Sequence, residues 1–504
     1  MGDSPLILGV SGLRGIVGES LTPEVAERYA AAFSAWLRAK TGLDHPSVAV
    51  GRDGRKGGDQ LAQIVMQALS DSGCVVYDCR VAMTPSMGHE VDHCLYNAAI
   101  VVTASHNPQE WNGLKLIISG EAMGQSNADP VEASAPAASV ADEIIQLFDQ
   151  MSTQVTTTGG KIEVSGTPEE SHSVDVLNQI NIFCGKDIFQ QVQNLKVVVD
   201  SVNCSGAIGA DALARDLKFQ YTQLHSDSSG IFPHTPEPTK ENLSGEGGLC
   251  DVVPSVGASV GFAQDPDADR LAIVDERGEY IGEEYTLVLC AMALMEARGG
   301  GQDSKKGKPV FVVNLSTSRM IDDVAAHYGA EVVRSAVGEA NVVEVMKSLK
   351  AQGRDVVMGG EGNGGVIWAE VTYVRDSLSG MALVLSLMAR TGKTVSELVE
   401  MVNSFGPTDE VKGNGYTILK AKSDLASKAD AVPVVKHLDG IYSRQAGCRV
   451  DLQDGIRIDW DERGVWAHVR ASNTEPIMRV IVEAPSKTEA ERVAGEIDGH
   501  ILGA

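Results

Sequence analysis

Several protein classes are excluded by what this chain lacks. Its eight cysteines, at positions 74, 79, 94, 184, 204, 250, 290 and 448, form no Cys-x-x-Cys pair. Scattered along 504 residues, they fit buried reduced thiols rather than a disulfide framework. The adjacent Asp92, His93 and Cys94 are not read as a metal site, because neighbours on a helix or strand point in different directions. Basic charge is scarce: 42 Lys and Arg stand against 68 Asp and Glu, a net charge of -26, and nothing forms a basic stripe. Nucleic acid is therefore not an expected partner. The longest apolar stretch, around Thr286 to Met295, is too short to span a bilayer. With no basic-then-apolar signal at the amino terminus, no membrane role is expected and the cytoplasm is the expected location.

A chain of this length exceeds what one core can serve and should divide into three or four domains. The first unit alternates helical spacing at Pro23 to Leu37 and Gln60 to Ser70 with strand patterns at Ser47 to Val50 and Ala98 to Val102. Residues Gln125 to Val140 read as a surface loop, and Thr156 to Ser173 as a linker. A second unit has strands at Leu195 to Asp200 and Ser259 to Ala263, a helix at Ala207 to Asp216, and a hairpin from Leu271 to Ile281. Gly299 to Lys308 is a Gly/Lys-rich connector, followed by strands at Val310 to Val313, Glu331 to Val333 and Val356 to Met358. Past Phe405-Gly406-Pro407, alternating patterns at Gly455 to Trp460, Val465 to Val469 and Met478 to Glu483 predict an antiparallel sheet.

Three times an apolar strand ends in a polar loop, after Val102, Phe262 and Met358. The first loop, Thr103 to Lys115, gathers Ser105, His106, Asn107 and Lys115 where open α/β sheets place ligands. Ser105 is the candidate nucleophile or phosphate carrier. The second sets Asp265, Asp267 and Asp269 at alternate positions, hard oxygen ligands suited to Mg²⁺ or Ca²⁺. It is not an EF-hand: Arg270 stands where the sharp turn calls for Gly, and a strand precedes the loop. The third, Gly360 to Gly365, matches a dinucleotide fingerprint only formally, since a strand pattern follows it. Glu361 and Asn363 read instead as sugar-hydroxyl ligands. Gly392-Lys393-Thr394 imitates the end of a P-loop, but Leu387 replaces its first Gly. A fourth group, Arg470, Ser472, Asn473 and Thr474, offers a guanidinium, two hydroxyls and an amide to the oxygens of a phosphate. Arg14, Arg52 and Arg55 could face the serine loop, with Arg14 the first choice and Arg55 possible as a solvated residue; Arg479 reads as a structural ion-pair residue.

Five segments carry a resemblance to one family: Gly9 to Gly15, Thr103 to Lys115, Asp265 to Arg270, Gly360 to Gly365 and Arg470 to Pro476. In this order they resemble the α-D-phosphohexomutases, which interconvert sugar 1-phosphates and 6-phosphates. The resemblance implies an α/β fold of three related α/β domains plus a smaller C-terminal α+β domain around a central cleft. The expected spans are 1–160 for the serine loop, 174–300 for the metal loop, 308–405 for the sugar loop and 408–504 for the phosphate loop. It implies phosphoryl transfer through phospho-Ser105 and a sugar bisphosphate, primed by catalytic hexose 1,6-bisphosphate. One Mg²⁺ would sit on Asp265, Asp267, Asp269 and a phosphate oxygen on Ser105, with Arg270 steadying that phosphate. Lys115 is the candidate general acid or base, since burial near a metal can lower an amine's pKa; His106 is second. Small-molecule sugar phosphates are the expected partners, and monomer and homodimer both stay open. Where many members carry Ser-Gly-His on the sugar loop, this chain has Glu361-Gly362-Asn363. That departure resembles a branch with glucosamine and with mannose or glucose activities. Glu361 could pair with a 2-ammonium group, so the expected activity is phosphoglucosamine mutase. The alternatives are phosphomannomutase/phosphoglucomutase, and more remotely a metal-dependent sugar phosphatase or a non-catalytic sensor.

Overall fold

Five consecutive apolar residues, Ala98–Val102, form a strand buried on both faces, and the first sheet is built around it. The structure, a computed structural model, describes residues 6–124, 132–151, 160–299, 307–472 and 476–502. Across the first sheet the strands run Ile7–Gly9, Gly12–Ile16, Trp111–Ile118, Ala98–Val102, Ser47–Arg52, Val75–Val81 and Lys161–Val164. The last four pair in parallel, and the first three are joined antiparallel. Side chains alternate across a strand. Accordingly Ala98, Ile100 and Val102 meet Tyr29, Phe33 and Leu37 of the helix Pro23–Thr41 on one face. Ala99 and Val101 meet Met87 and Val91 of the helix Thr84–His93 on the other. The long helix starts at an N-cap, Thr22, whose hydroxyl accepts from Val25 N, and ends where Gly42 takes φ 68.

Two expectations are corrected here. The segment read as a linker contains the seventh strand, Lys161–Val164, and the start of the helix Pro168–Cys184. The strand is mostly exposed at the sheet edge, so no buried face shaped its sequence. The segment read as a loop from Gln125 to Val140 ends in the first turn of the helix Ala138–Gln150, while 125–131 lie outside the described residues.

Contacts divide the chain into two compact units, Met1–Gly299 with Val357–Ser396 and Gly300–Val356 with Glu397–Ala504. Besides the first sheet, the first unit holds a sheet in the order Leu271–Val274, Val260–Gln264, Lys196–Asp200, Gln220–Leu224. Only Leu271–Val274 is antiparallel in it. The hairpin of Glu361 with Gly365 and two apolar helices, Glu283–Ala297 and Ser377–Thr391, complete this unit. The second unit contains the parallel pair Pro309–Asn314 and Glu331–Ser335. It also holds an antiparallel sheet ordered Thr417–Asp424, Ile477–Ala484, Val465–Ala471, Ile456–Trp460, Arg449–Asp451. The helices Ala431–Tyr442 and Lys487–Leu502 cover that sheet, which is the alternating antiparallel element expected from the sequence. Among the described residues no helix is long and apolar enough to cross a membrane.

Candidate active site

The serine loop is held from below. Just beyond the buried strand, Thr103 N bonds Gly113 O at 3.0 Å, and Ser105 then takes a left-handed φ of 49. A non-glycine residue in that region is strained unless its surroundings fix it. Here they do. Ser105 N donates to Thr103 Oγ1 at 2.8 Å, and Thr103 Oγ1 donates to Asp53 Oδ2 at 2.7 Å. Arg55 bonds the same Asp53 oxygen at 2.8 Å, Trp111 O at 2.7 Å, and the carbonyl of Ser105 itself. Arg55 is only 1% exposed, so its reading as a solvated residue is corrected: it fastens the serine loop. A buried guanidinium needs several acceptors, and this loop supplies them.

Ser105 is itself buried, its Oγ 2.7 Å from Asp265 Oδ2 and 3.2 Å from His106 Nδ1. Asp265, Asp267 and Asp269 follow the strand Val260–Gln264, all three at 0% exposure, with ligand oxygens within 4.8 Å of one another. Ala268, at φ 55, bends the loop so that its N reaches Asp265 O at 2.9 Å. Burial, then the charges of Asp267 and Asp269, push the Asp265 carboxyl well above the usual range. Burial opposes charge on Asp269 too, but Arg375, Lys115 and Arg270 overcome it and hold that carboxyl down. Asp267 Oδ1 and Asp269 Oδ1 are buried without a hydrogen-bond partner. Orphaned buried carboxylate oxygens are unfavourable, and a hard cation among them would offset that cost. The donor set fits a Mg²⁺-class ion.

Lys115 reaches this triad from a different element than expected. It lies on the strand Trp111–Ile118, opposite Val101, and not on the serine loop. Its Nζ donates to Asp269 Oδ2 at 2.6 Å and stands 3.5 Å from Asp267 Oδ2. Arg14, on the neighbouring strand, donates to Asn107 Oδ1 at 3.2 Å, so it does face the serine loop. Burial, then Arg270 and Arg14, push the His106 imidazole down to about 3, leaving it neutral and a weak base. Arg270 sits beside the triad, its N bonded to Asp265 Oδ1 at 3.2 Å and its buried Nε without a hydrogen-bond partner.

The Gly-rich loop needs its glycines. A Cβ at Gly360 (φ 157) would lie 2.4 Å from Gly365 O, and one at Gly364 (φ 83) 2.4 Å from Leu271 O. Glu361 is buried and pairs with Arg375 Nη1 at 2.7 Å. The other end of Arg375 bonds Asp269 Oδ2 at 2.6 Å, so one guanidinium bridges the aspartate loop and the Gly-rich loop. Half-buried Asn363 accepts from Gly365 N at 3.2 Å. Sequence reasoning missed Arg375. The available signal was a lone Arg between Val374 and Asp376, just ahead of an apolar helix. It missed Thr84 as well, whose hydroxyl donates to Asp267 Oδ2 at 2.7 Å.

In the second unit, Arg470 is the penultimate residue of the strand Val465–Ala471 and pairs with Asp454 at 3.2 Å, and Ser472, just past the strand, is buried. Asn473 and Thr474 lie outside the described residues. Arg479, opposite Arg470, is exposed and makes no ion pair among the described residues. The residues Asp92, His93 and Cys94 do not form a cluster; His93 instead neighbours His89 and Asp175.

Four family models match in order. They are phosphoglucomutase/phosphomannomutase alpha/beta/alpha domain I over residues 5–141, domain II over 175–278, domain III over 283–405, and the C-terminal domain over 420–500. A phosphoglucomutase/phosphomannomutase of Thermococcus kodakarensis is 31% identical over 96% of this chain and 96% of its own. A Methanopyrus kandleri protein named "Probable phosphoglucosamine mutase" is 32% identical over 97% of this chain and 96% of its own. The fold matches that of a phosphoglucomutase/phosphomannomutase family protein from Burkholderia thailandensis, with a TM-score of 0.74 and 22% identity. That match covers 98% of this chain and 96% of the other. With all four domain models present in order, and the three α/β parts and C-terminal domain they describe, this chain belongs to the α-D-phosphohexomutase superfamily and is a phosphohexomutase, an isomerase of the intramolecular phosphotransferase kind.

Proposed function

We propose that this phosphohexomutase works through a phosphoserine at Ser105 and interconverts glucosamine 6-phosphate and glucosamine 1-phosphate. The observation that carries the first part is the placement of the Ser105 Oγ: buried, 2.7 Å from Asp265, beside a triad in which two carboxylate oxygens accept no hydrogen bond. Asp265, Asp267 and Asp269, with a phosphate oxygen on Ser105, would hold Mg²⁺. When bound, the ion would offset charge on the transferring phosphoryl group, where most catalysis of such transfers arises.

The chain's own groups do the rest. Arg55 and Thr103 fix the serine backbone, and Asp265 and His106 hold its hydroxyl. Arg270 and Arg14 place positive charge beside the serine, opposing the repulsion between a phosphorylated enzyme and an anionic sugar. Phospho-Ser105 gives its phosphoryl group to the free hydroxyl of the monophosphate, and the resulting bisphosphate returns its other phosphate to Ser105. Lys115 is the proposed carrier of the proton: the ammonium that pairs with Asp269 at 2.6 Å would donate a proton to the departing Ser105 oxygen, and the amine left behind would accept the proton of the sugar hydroxyl. His106, pushed down to about 3, suits a hydrogen-bonding role at Ser105 Oγ better than proton transfer. A trace of hexose 1,6-bisphosphate would prime unphosphorylated enzyme.

The Arg470 loop is the proposed grip on the phosphate that is not reacting. Arg470→Ala should mainly raise KM, by the equivalent of about 2–4 kcal/mol for a lost bidentate charged contact. Steady-state kinetics decide it: KM and kcat both within about twofold of wild type would remove this loop from substrate binding.

The substrate assignment rests on the glucosamine relative and on Glu361. Glu361 is already paired with Arg375, so a 2-ammonium group would have to share that carboxylate. The relatives therefore carry more of this argument than the contact does. The Thermococcus kodakarensis relative favours a second reading, phosphomannomutase/phosphoglucomutase. A panel of 1-phosphates separates them: glucosamine 1-phosphate should give the highest kcat/KM. A tenfold or greater preference for mannose or glucose 1-phosphate would reverse the assignment. Release of inorganic phosphate in the same assay would indicate a phosphatase instead.

A further inference from the structure

Away from the aspartate triad, three ligand-type side chains converge where two parallel strands end. Asp200 closes the strand Lys196–Asp200, His225 follows its neighbour Gln220–Leu224, and His234 comes from the segment beyond. This is the edge at which open α/β sheets take ligands. Asp200 Oδ2 lies 2.9 Å from His225 Nδ1 and 3.0 Å from His234 Nε2, and the three ligand atoms fall within 4.8 Å.

The hydrogen bonds of His234 do not close for a neutral ring. Its Nδ1 is 2.8 Å from the carbonyl oxygen of Thr235, which can only accept, so Nδ1 carries a proton. Nε2 of a neutral imidazole is then a bare lone pair, yet it faces a carboxylate oxygen at 3.0 Å. Two acceptors hold that contact only if a cation lies between them, either a second ring proton or a metal ion. A backbone carbonyl behind the ring is the outer partner that metal-bound imidazoles use. The backbone here is also strained: Val202, Asn203 and His225 have φ of 47, 56 and 46. Such strain persists where surroundings over-determine it, and a β-branched Val is a marked case. The histidine side chains are 28% and 18% exposed, which leaves solvent a route to complete a coordination shell.

We propose that Asp200, His225 and His234 bind one divalent transition-metal ion of the zinc class, separate from the triad. Imidazole nitrogens favour Zn²⁺ and Co²⁺ over Mg²⁺, whereas the all-oxygen triad favours the reverse. Binding releases protons from the rings. The ion would tie together the ends of the segment between His225 and His234, and that segment backs the serine loop. Gly230 O accepts from Lys56 N at 2.9 Å and Gln109 Nε2 at 3.1 Å. Phe232 N donates to Gln109 Oε1 at 2.8 Å, and Arg55 stands 5.2 Å over the Phe232 ring.

Chelator-treated full-length protein, held in excess Mg²⁺, should be titrated with Co²⁺ and followed by visible absorption. The expected result is one equivalent bound with intense d–d bands that Zn²⁺ bleaches and further Mg²⁺ does not. His225→Gln and His234→Gln, checked for folding by thermal melts, should each weaken Co²⁺ binding at least roughly 100-fold, since even outer-shell partners are worth 10–100-fold. Bleaching by Mg²⁺ would place Co²⁺ in the triad and overturn the proposal. So would equal binding by wild type and the variants. No spectral response in wild type would do the same, and would assign the cation as a second proton on His234.

Discussion

Ser105→Ala should lower turnover by at least roughly 10⁴-fold while the protein stays folded, the scale on which removal of a covalent nucleophile acts. Both halves of this expectation come from the same contacts. The hydroxyl is buried and bonded to Asp265 and His106, and no other hydroxyl stands at that point of the loop. Its loss leaves Asp265 one donor short, at a cost of about 1–3 kcal/mol. That cost is moderate because burial and the two neighbouring aspartates already push Asp265 towards its neutral form. The backbone is indifferent to the change: alanine and serine pay alike for φ 49, and Arg55 still holds the carbonyl of residue 105. Intact-protein mass spectrometry supplies the decisive readout. Wild type should carry one phosphoryl group after exposure to a hexose bisphosphate, and the variant none. Phosphate found on another residue, in either protein, would sink the phosphoserine mechanism.

How much of this site could be read from sequence depends on whether its parts are neighbours in the chain. The serine loop and the aspartates were legible because their chemistry lies within short segments, directly after strands that announce themselves by unbroken apolar runs. Lys115 reaches the triad, but not from the serine loop. Its route to the triad is the antiparallel strand Trp111–Ile118, and a hairpin partner is a pairing that a linear reading of Thr103 to Lys115 does not contain. Arg375 was out of reach on principle: it is 106 residues from Asp269, and only the fold joins them. The burial of Arg55 is hidden in the sequence because an arginine among glycines and aspartates has the composition of a solvated turn. Its burial depends on carbonyls of the serine loop 50 and more positions away. The strand Lys161–Val164 failed for the opposite reason. An exposed edge strand buries too little to impose a pattern, so its Gly- and Thr-rich surroundings dominated the reading. Asp200, His225 and His234 were likewise invisible, since two loops after two different strands bring them together.

The same logic makes Asp267→Asn a test of whether the triad is built for a cation or only for stability. We expect kcat to fall at least roughly 100-fold, because a lost direct ligand should cost no less than an outer-shell one. In EDTA, by contrast, the variant should melt at a higher temperature than wild type. Three buried carboxylates repel one another in the metal-free protein, and Asp267 is among the charges that raise Asp265. An asparagine oxygen can keep the Thr84 hydroxyl now bonded at 2.7 Å. Its amide would stand in place of the orphaned Oδ1 and donate to a neighbouring carboxylate. Added Mg²⁺ should then stabilise wild type by mass action and the variant much less, so the two melting curves converge or cross. Gain of stability with loss of activity is the signature of residues held in an unfavourable arrangement for function. Kinetics over a Mg²⁺ series and melts with and without EDTA measure both. Undiminished activity in excess EDTA, or a variant that melts well below wild type in the absence of metal, would show that the triad serves the fold and not a cation.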